Sequence, residues 1–204
     1  MCNEDALYFS GETIYKKEEI LMNKYIFIVV LTAALLPFNV QAEELEKKFN
    51  IGIGTYALKI AYDDTYIGND DDLSGFGLSA LYAFTDQVAI RGEYYSLDHD
   101  DASNIDATGI DLVGYFGTGL ATQGFKAYIG GGIFSETWES PVRTEDFDGL
   151  QINGGIGYNW DVVALDFVLG IRNASDYEDF IQRVSGISVN AAAVSGSLIL
   201  SARF

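Results

Sequence analysis

The chain's one histidine, His99, stands in the run Ser96-Leu97-Asp98-His99-Asp100-Asp101, with Ser103 close behind. Histidine, hydroxyl and carboxylate are the parts of a hydrolytic triad, in which the imidazole takes the proton of the attacking oxygen. Nothing in this spacing sets the three groups on rigid elements. A lone histidine in an acidic loop reads as a solvated residue. No catalytic residue and no cofactor is assigned, and the chain reads as a non-enzyme.

Hard-oxygen chemistry is the second possibility. Acids gather in four segments: Asp63, Asp64, Asp70, Asp71 and Asp72; Asp98, Asp100, Asp101 and Asp106; Glu139, Glu145, Asp146 and Asp148; Asp176, Glu178 and Asp179. Carboxylates suit Ca²⁺ or Mg²⁺, but no segment has EF-hand spacing. No metal ligand is assigned, and these acids read as solvated loop surface.

A third set of charges lies inside otherwise apolar runs: Lys59, Arg91, Glu93, Asp111, Lys126, Asp166, Arg172 and Arg203. Parity puts them on the face opposite the large apolar side chains. Buried charges must be paired, so an ion-pair network is expected, centred on Arg91, Glu93, Asp111, Lys126 and Asp166. Arg91 lies five residues beyond one turn and Asp111 five before Phe116, which predicts similar depth on adjacent strands.

Two-faced strands must position such a network. Phe76, Leu78, Ala80, Tyr82 and Phe84 alternate with Gly75, Gly77, Ser79, Leu81 and Ala83, a period of two and not of 3.6. The pattern returns in Leu150–Trp160 and Val163–Arg172. Eight segments are expected: Asn50–Tyr62, Ser74–Phe84, Gln87–Leu97, Ala107–Phe116, Gly124–Glu136, Gly149–Trp160, Val162–Asn173 and Val189–Phe204. Each has the length of a tilted membrane-spanning strand. Ile51 and Ile53 fall out of phase with Tyr56, Leu58 and Ile60, which predicts a bulge near Gly54.

Connections alternate between short (Thr85-Asp86, Gly117–Gln123, Asp161) and long (Asp63–Leu73, Asp98–Asp106, Thr137–Asp148, Ala174–Ser188). This asymmetry, and the need to close every strand edge in lipid, predict an all-β, eight-stranded antiparallel up-and-down transmembrane β-barrel. A soluble barrel would turn its large apolar faces inward, and eight strands leave too narrow an interior for them. Tyr82, Phe84, Phe116, Tyr158, Trp160 and Phe204 predict an aromatic belt at one rim, and Tyr62, Tyr94 and Trp138 a second at the other.

Met22-Asn23-Lys24, the apolar stretch Tyr25–Leu36 and Val40-Gln41-Ala42 form a secretory signal peptide over residues 22–42. Its apolar run is too short for a spanning helix. Residues 1–21 carry acids of the wrong sign for a signal. Lys17-Glu18-Glu19 can be encoded by a purine-rich, ribosome-binding-like stretch two codons before Met22, so 1–21 reads as an upstream extension outside the true start. Residues 43–204 form the barrel domain. Removing the five acids and three bases of residues 1–42 from the chain's 30 and 12 leaves a net charge of −16. That charge argues against nucleic acid and permits divalent cations. Cys2, the only cysteine, falls in the doubtful extension, which excludes a disulfide scaffold.

The final stretch Ser197-Leu198-Ile199-Leu200-Ser201-Ala202-Arg203-Phe204, alternating and ending in phenylalanine, resembles the targeting signature of bacterial outer-membrane barrels. With the signal peptide and eight strands, the mature chain resembles the small porin-like group that includes the OmpA membrane domain and OmpX. The resemblance implies residence in the outer membrane of a Gram-negative cell. It also implies periplasmic chaperones, insertion by the barrel-assembly machinery with Phe204 as assembly signal, and contact with lipid and lipopolysaccharide, the latter through divalent cations. The chain lacks the histidine-x-serine strand motif of the lipid A deacylases. The expected role is structural or surface-interacting, with a side-chain-filled polar lumen; a narrow ion or solute channel is the alternative, and a lipid A-modifying enzyme a remote third.

Overall fold

Alternate residues along eight strands turn one set of side chains outward and the other inward. The computed structural model describes residues 46–63, 70–100 and 104–204. Its strands are β1 (Phe49–Tyr62), β2 (Asp71–Ala83), β3 (Val88–His99), β4 (Asp106–Thr118), β5 (Gly124–Ser140), β6 (Arg143–Asn159), β7 (Val163–Arg172) and β8 (Ala191–Arg203), with one helix, α1 (Ser175–Ser185), between β7 and β8. They form a closed barrel in sequence order, and β8 returns antiparallel to β1. Closure is completed where the Phe49 N–H donates to the Phe204 carbonyl at 3.2 Å and the Phe204 N–H to that of Phe49 at 2.8 Å. Among the described residues no strand edge of the closed ring remains unpaired, as lipid requires. The expected signal peptide and upstream extension, residues 22–42 and 1–21, lie outside the described residues.

The outward set is greasy. Phe76, Leu78, Ile156 and Phe167 are 53%, 51%, 53% and 46% exposed, whereas Arg91 and Asp166 are 3% and 1% exposed. At the end with short turns, Tyr82, Phe84, Phe116, Tyr158, Trp160 and Phe204 all face out, joined by Phe49 and Phe125. The second belt differs from expectation. Tyr94 faces out, but Trp138 is buried inside and Tyr62 leans on the inner cluster. Trp138 shares parity with Lys126, so it follows the lumen side of β5.

There is no bulge at Gly54: β1 keeps one continuous register with both neighbours from Asn50 to Ile60. Ile51 and Ile53 therefore face out while Tyr56, Leu58 and Ile60 face in. The phase change reflects a change of filling along the barrel. Lys59 consequently points outward, contrary to its expected lumenal place, and pairs with Asp70 at 2.8 Å and Asp72 at 3.1 Å. The interior is also less cramped than expected. Toward the loop end it holds Tyr56, Leu58, Ile60, Tyr95, Phe134 and Phe147 as an apolar plug, and a smaller cluster lies toward the turn end.

Glycines make room for these rings. A Cβ at Gly155 would lie 2.4 Å from the Tyr128 ring, and one at Gly109 would lie 2.3 Å from the Tyr95 hydroxyl. Outward Gly131 has nothing nearer than 3.7 Å. Inner glycines and tyrosines are thus complementary halves of one packing scheme.

Two connections depart from the expected loops. Thr137–Asp148 is mostly strand: β5 and β6 continue to a tight turn at Pro141-Val142, with Thr137 opposite Asp146 and Trp138 opposite Glu145. The Thr137 hydroxyl donates to Asp146 at 2.7 Å. Ala174–Ser188 contains α1, which turns Tyr177, Phe180 and Ile181 toward the barrel mouth at helical spacing. Asp176 and Glu178 stand in its first turn and Arg183 in its last, and Gly186, at φ 75°, ends it with an N–H bond to the Gln182 carbonyl.

Candidate functional site

Eight charged side chains of the described residues, apart from His99, are buried in the lumen: Arg91, Lys126, Arg172 and Arg203 against Glu93, Asp111, Glu136 and Asp166. All five residues of the expected network point inward, but they do not form one network. The turn-side half is built on Asp166 of β7. Lys126 Nζ donates to its Oδ2 at 2.7 Å, the Tyr128 hydroxyl to its Oδ1 at 2.6 Å, and Arg91 Nη2 lies 3.3 Å away. The Arg91 guanidinium also rests 5.3 and 5.4 Å from the Tyr115 and Tyr128 ring centres.

The loop-side half is built on Arg172. It pairs with Asp111 at 2.9 Å and Glu136 at 2.8 Å, and sits 4.5 Å from the centre of the Phe134 ring. It also donates to the hydroxyls of Tyr56 and, at 3.0 Å, Tyr95. Those hydroxyls donate onward, Tyr56 to Asp111 at 2.7 Å and Tyr95 to Glu136 at 2.8 Å. Asp111 therefore belongs with Arg172, not Arg91. Glu93 stands directly opposite Asp111 in the β3–β4 register and makes no ion pair among the described residues. Arg91 is opposite Val113, two positions nearer the turns than expected.

Sequence reasoning placed Arg172 on the inner face without its central role, and missed Glu136. The signal was present: Lys126, Tyr128, Phe134 and Glu136 share one parity. Glu136 also ties α1 to the wall. It accepts from the Tyr177 hydroxyl at 2.7 Å and Trp138 Nε1 at 2.9 Å. Burial and the neighbouring Glu136 carboxylate push the Tyr177 hydroxyl well above its ordinary pKa, so it stays a donor.

The turn end is closed by a fold-back that plain turn chemistry did not predict. Leu120 and Ala121 tuck inside, and the Asp86 carboxylate accepts the N–H groups of Gly119, Ala121 and Thr122 at 3.0, 3.3 and 3.1 Å. The Thr122 hydroxyl adds a bond of 2.8 Å. Asn159 donates to the Gly119 and Thr122 carbonyls, and Arg203 to those of Ala121 and Trp160. Partial burial would raise the Asp86 carboxyl, but these donors outweigh it and hold the group below the usual 3.8.

His99 is not solvated. It is buried at the end of β3, with Nε2 3.1 Å from Asp71, whose other oxygen accepts the Tyr62 hydroxyl at 2.6 Å. Ser96 lies on the opposite face of β3, so strand geometry separates the two; Ser103 lies outside the described residues. Among the described residues no group of three or more His, Cys, Asp or Glu side chains is arranged to hold a metal ion.

No family model and no curated protein matches the chain. Solved structures do. Ail, the attachment invasion locus protein of Yersinia pestis, superposes with a TM-score of 0.51 at 15% identity, covering 78% of this chain and all of that one. Neisserial surface protein A superposes with a TM-score of 0.52 at 15% identity, covering 76% and 97%. Both are small outer-membrane barrels of eight strands, and this chain has their fold.

Proposed function

We propose that the protein resides in the outer membrane, where lipid covers its apolar wall, and serves as a structural and surface-interaction protein through its loop end. The observation that carries this reading is the combination of a half-exposed apolar wall with a filled interior. A wall bearing Phe76, Leu78, Ile156 and Phe167 costs too much in water to be left bare on a monomer. An interior crossed by the Asp166 and Arg172 clusters, and capped by α1 and the Gly119–Thr122 fold-back, supports a plug over a conduit. With the turn end toward the periplasm, the acidic loop end faces outside, where divalent cations bridge its carboxylates to lipopolysaccharide phosphates. Phe204, exposed where β8 meets β1, suits recognition by the assembly machinery before closure. The inward place of His99, away from Ser96, supports a non-catalytic role.

Two measurements on protein refolded in detergent and lipid test this. Unheated protein is expected to migrate on a gel apart from the boiled form, and planar bilayers containing it are expected to stay electrically silent. Stable single-channel steps that vanish in Arg91→Ala would replace the plug by a narrow channel. Identical migration with and without heating would remove the barrel reading itself.

A further inference from the structure

At the loop end β6 outruns one of its neighbours. It pairs with β5 as far as Arg143, but with β7 only from Gln151, opposite Arg172. Successive residues of an antiparallel strand turn their backbone groups to opposite neighbours. The Leu150 carbonyl accepts the Asn173 N–H at 2.8 Å, and the Asp148 N–H donates to the Asp176 carboxylate at 3.0 Å. The even-numbered residues of this stretch therefore direct their backbone away from β5. Among the described residues nothing bonds the backbone N–H and C=O groups that Thr144 and Asp146 present on that side.

Helix α1 forms the facing wall. Asp176 reaches the strand at Asp148, and Arg183 reaches it at Glu145, 3.2 Å away. From Asp148 to Glu145, and from Asp176 to Arg183, the chain advances about 10 Å in each case, so the helix runs alongside the strand edge. Between them lies an open groove of 570 Å³, lined by Asp146, Asp176, Asp179, Gln182 and Arg183. An unpaired edge facing a helix across a groove seats an extended peptide, which adds a strand through main-chain hydrogen bonds. The charges choose which peptide. Asp146 accepts the Thr137 hydroxyl and Asp176 the Asp148 N–H, both neutral donors, and among the described residues none of Asp146, Asp176 and Asp179 has an ion pair. The groove's one base, Arg183, is held by Glu145. Two copies of this chain joined edge to edge would set these acids against each other, which is unfavourable across a ladder.

We propose that the free edge of β6 takes an extended, basic segment of a partner protein as an added strand. The segment's backbone pairs with Thr144 and Asp146. Its basic side chains, at alternate positions, stand on the outward side with Asp146, and the side chains between them turn to the inward side, where Phe147 lies. Asp176 holds the Asp148 N–H in place of a strand carbonyl and marks where the added strand ends. The site rests on the surface-interaction reading for its orientation toward the outside.

The test uses the refolded barrel and a fluorescein-labelled peptide of alternating lysine and valine, read by anisotropy. Saturable binding that weakens with salt is expected, and none for the peptide with glutamate in place of lysine. Thr144→Pro removes an edge N–H that β5 does not use, a change edge strands tolerate, and is expected to weaken the peptide roughly three- to tenfold. Asp146→Asn and Asp179→Asn are each expected to weaken it about twofold or more. Backbone phase separates an added strand from a general acidic surface. Peptides N-methylated on the lysines alone and on the valines alone should differ, one binding like the parent peptide and the other not at all. Equal binding of the two, or unchanged affinity in Thr144→Pro, would overturn the added strand. Self-association of the barrel that Asp146→Asn strengthens would replace the partner by a second copy and overturn the proposal too. No saturable binding in protein that still shows heat-shifted migration would overturn the site and leave the barrel reading standing. Loss of the migration shift would count against the barrel reading instead.

Discussion

Arg172 shows most plainly what single residues contribute. It is buried between Asp111 and Glu136 and touches two tyrosine hydroxyls. Arg172→Ala leaves two carboxylates facing each other without a cation, and removing one partner of a buried pair costs about 3–5 kcal/mol. Denaturant unfolding in detergent should show a loss of that size, larger than for exposed Lys59→Ala, whose pairs with Asp70 and Asp72 lie in water. Asp86 gives a pH signature. Its folded carboxyl is held below 3.8, so its stabilisation is whole above that value and fades as pH falls through the depressed folded range. The thermal midpoint of the parent should exceed that of Asp86→Asn at neutral pH, and the gap should close below about pH 4. Parity alone located Arg91, Glu93, Asp111, Lys126 and Asp166 on the inner face. It could not say which charge meets which, because partners across a lumen depend on the shear between distant strands, and that shear is not written in any one of them.

At the scale of elements, the wall is a two-sided fabric and each side has its own rule. Gly155→Ala drives a methyl into the Tyr128 ring, whereas Gly131→Ala points into open space. Overpacking costs about 1–3 kcal/mol, so Gly155→Ala should lower stability by that amount and Gly131→Ala should be nearly neutral, as read by denaturant midpoints. On the other side, Leu78→Arg should cost about 2–4 kcal/mol in a bilayer if it lies at midplane depth. The loop end was the least legible region. Glu139, Glu145, Asp146 and Asp148 resemble a solvated loop, yet they are alternate and flanking residues of a hairpin whose inner side carries Trp138 and Phe147. The acids masked the period of two. Helix α1 left a readable trace in Asp176, Glu178, Arg183 and Gly186, but its apolar residues are only Tyr177, Phe180, Ile181 and Val184, too short a stripe to stand out beside eight strands. Glu136→Gln should loosen α1, since Tyr177 and Trp138 both end on that carboxylate. Faster amide exchange over Ser175–Ser185 than over β7 would register it.

The whole molecule is organised by closure. Eight strands of alternating residues, short turns at one end and long connections at the other were legible because each is a local pattern repeated many times. The bulge expected at Gly54 misread one such pattern: the barrel changes its filling from small and charged to large and aromatic along its axis, so hydrophobicity changes face while the backbone keeps register. All of the functional reading depends on which side of the wall meets lipid. The direct measurement is spin-label accessibility along β2, using single cysteines from Ser74 to Ala83 in a Cys2→Ser background, in protein inserted in lipid bilayers. Collision with dissolved oxygen should peak at residues 76, 78 and 80 and fall at 77, 79 and 81, with a water-soluble nickel reagent excluded from the first set. The opposite phase, or free access of the nickel reagent to residues 76, 78 and 80, would contradict the account.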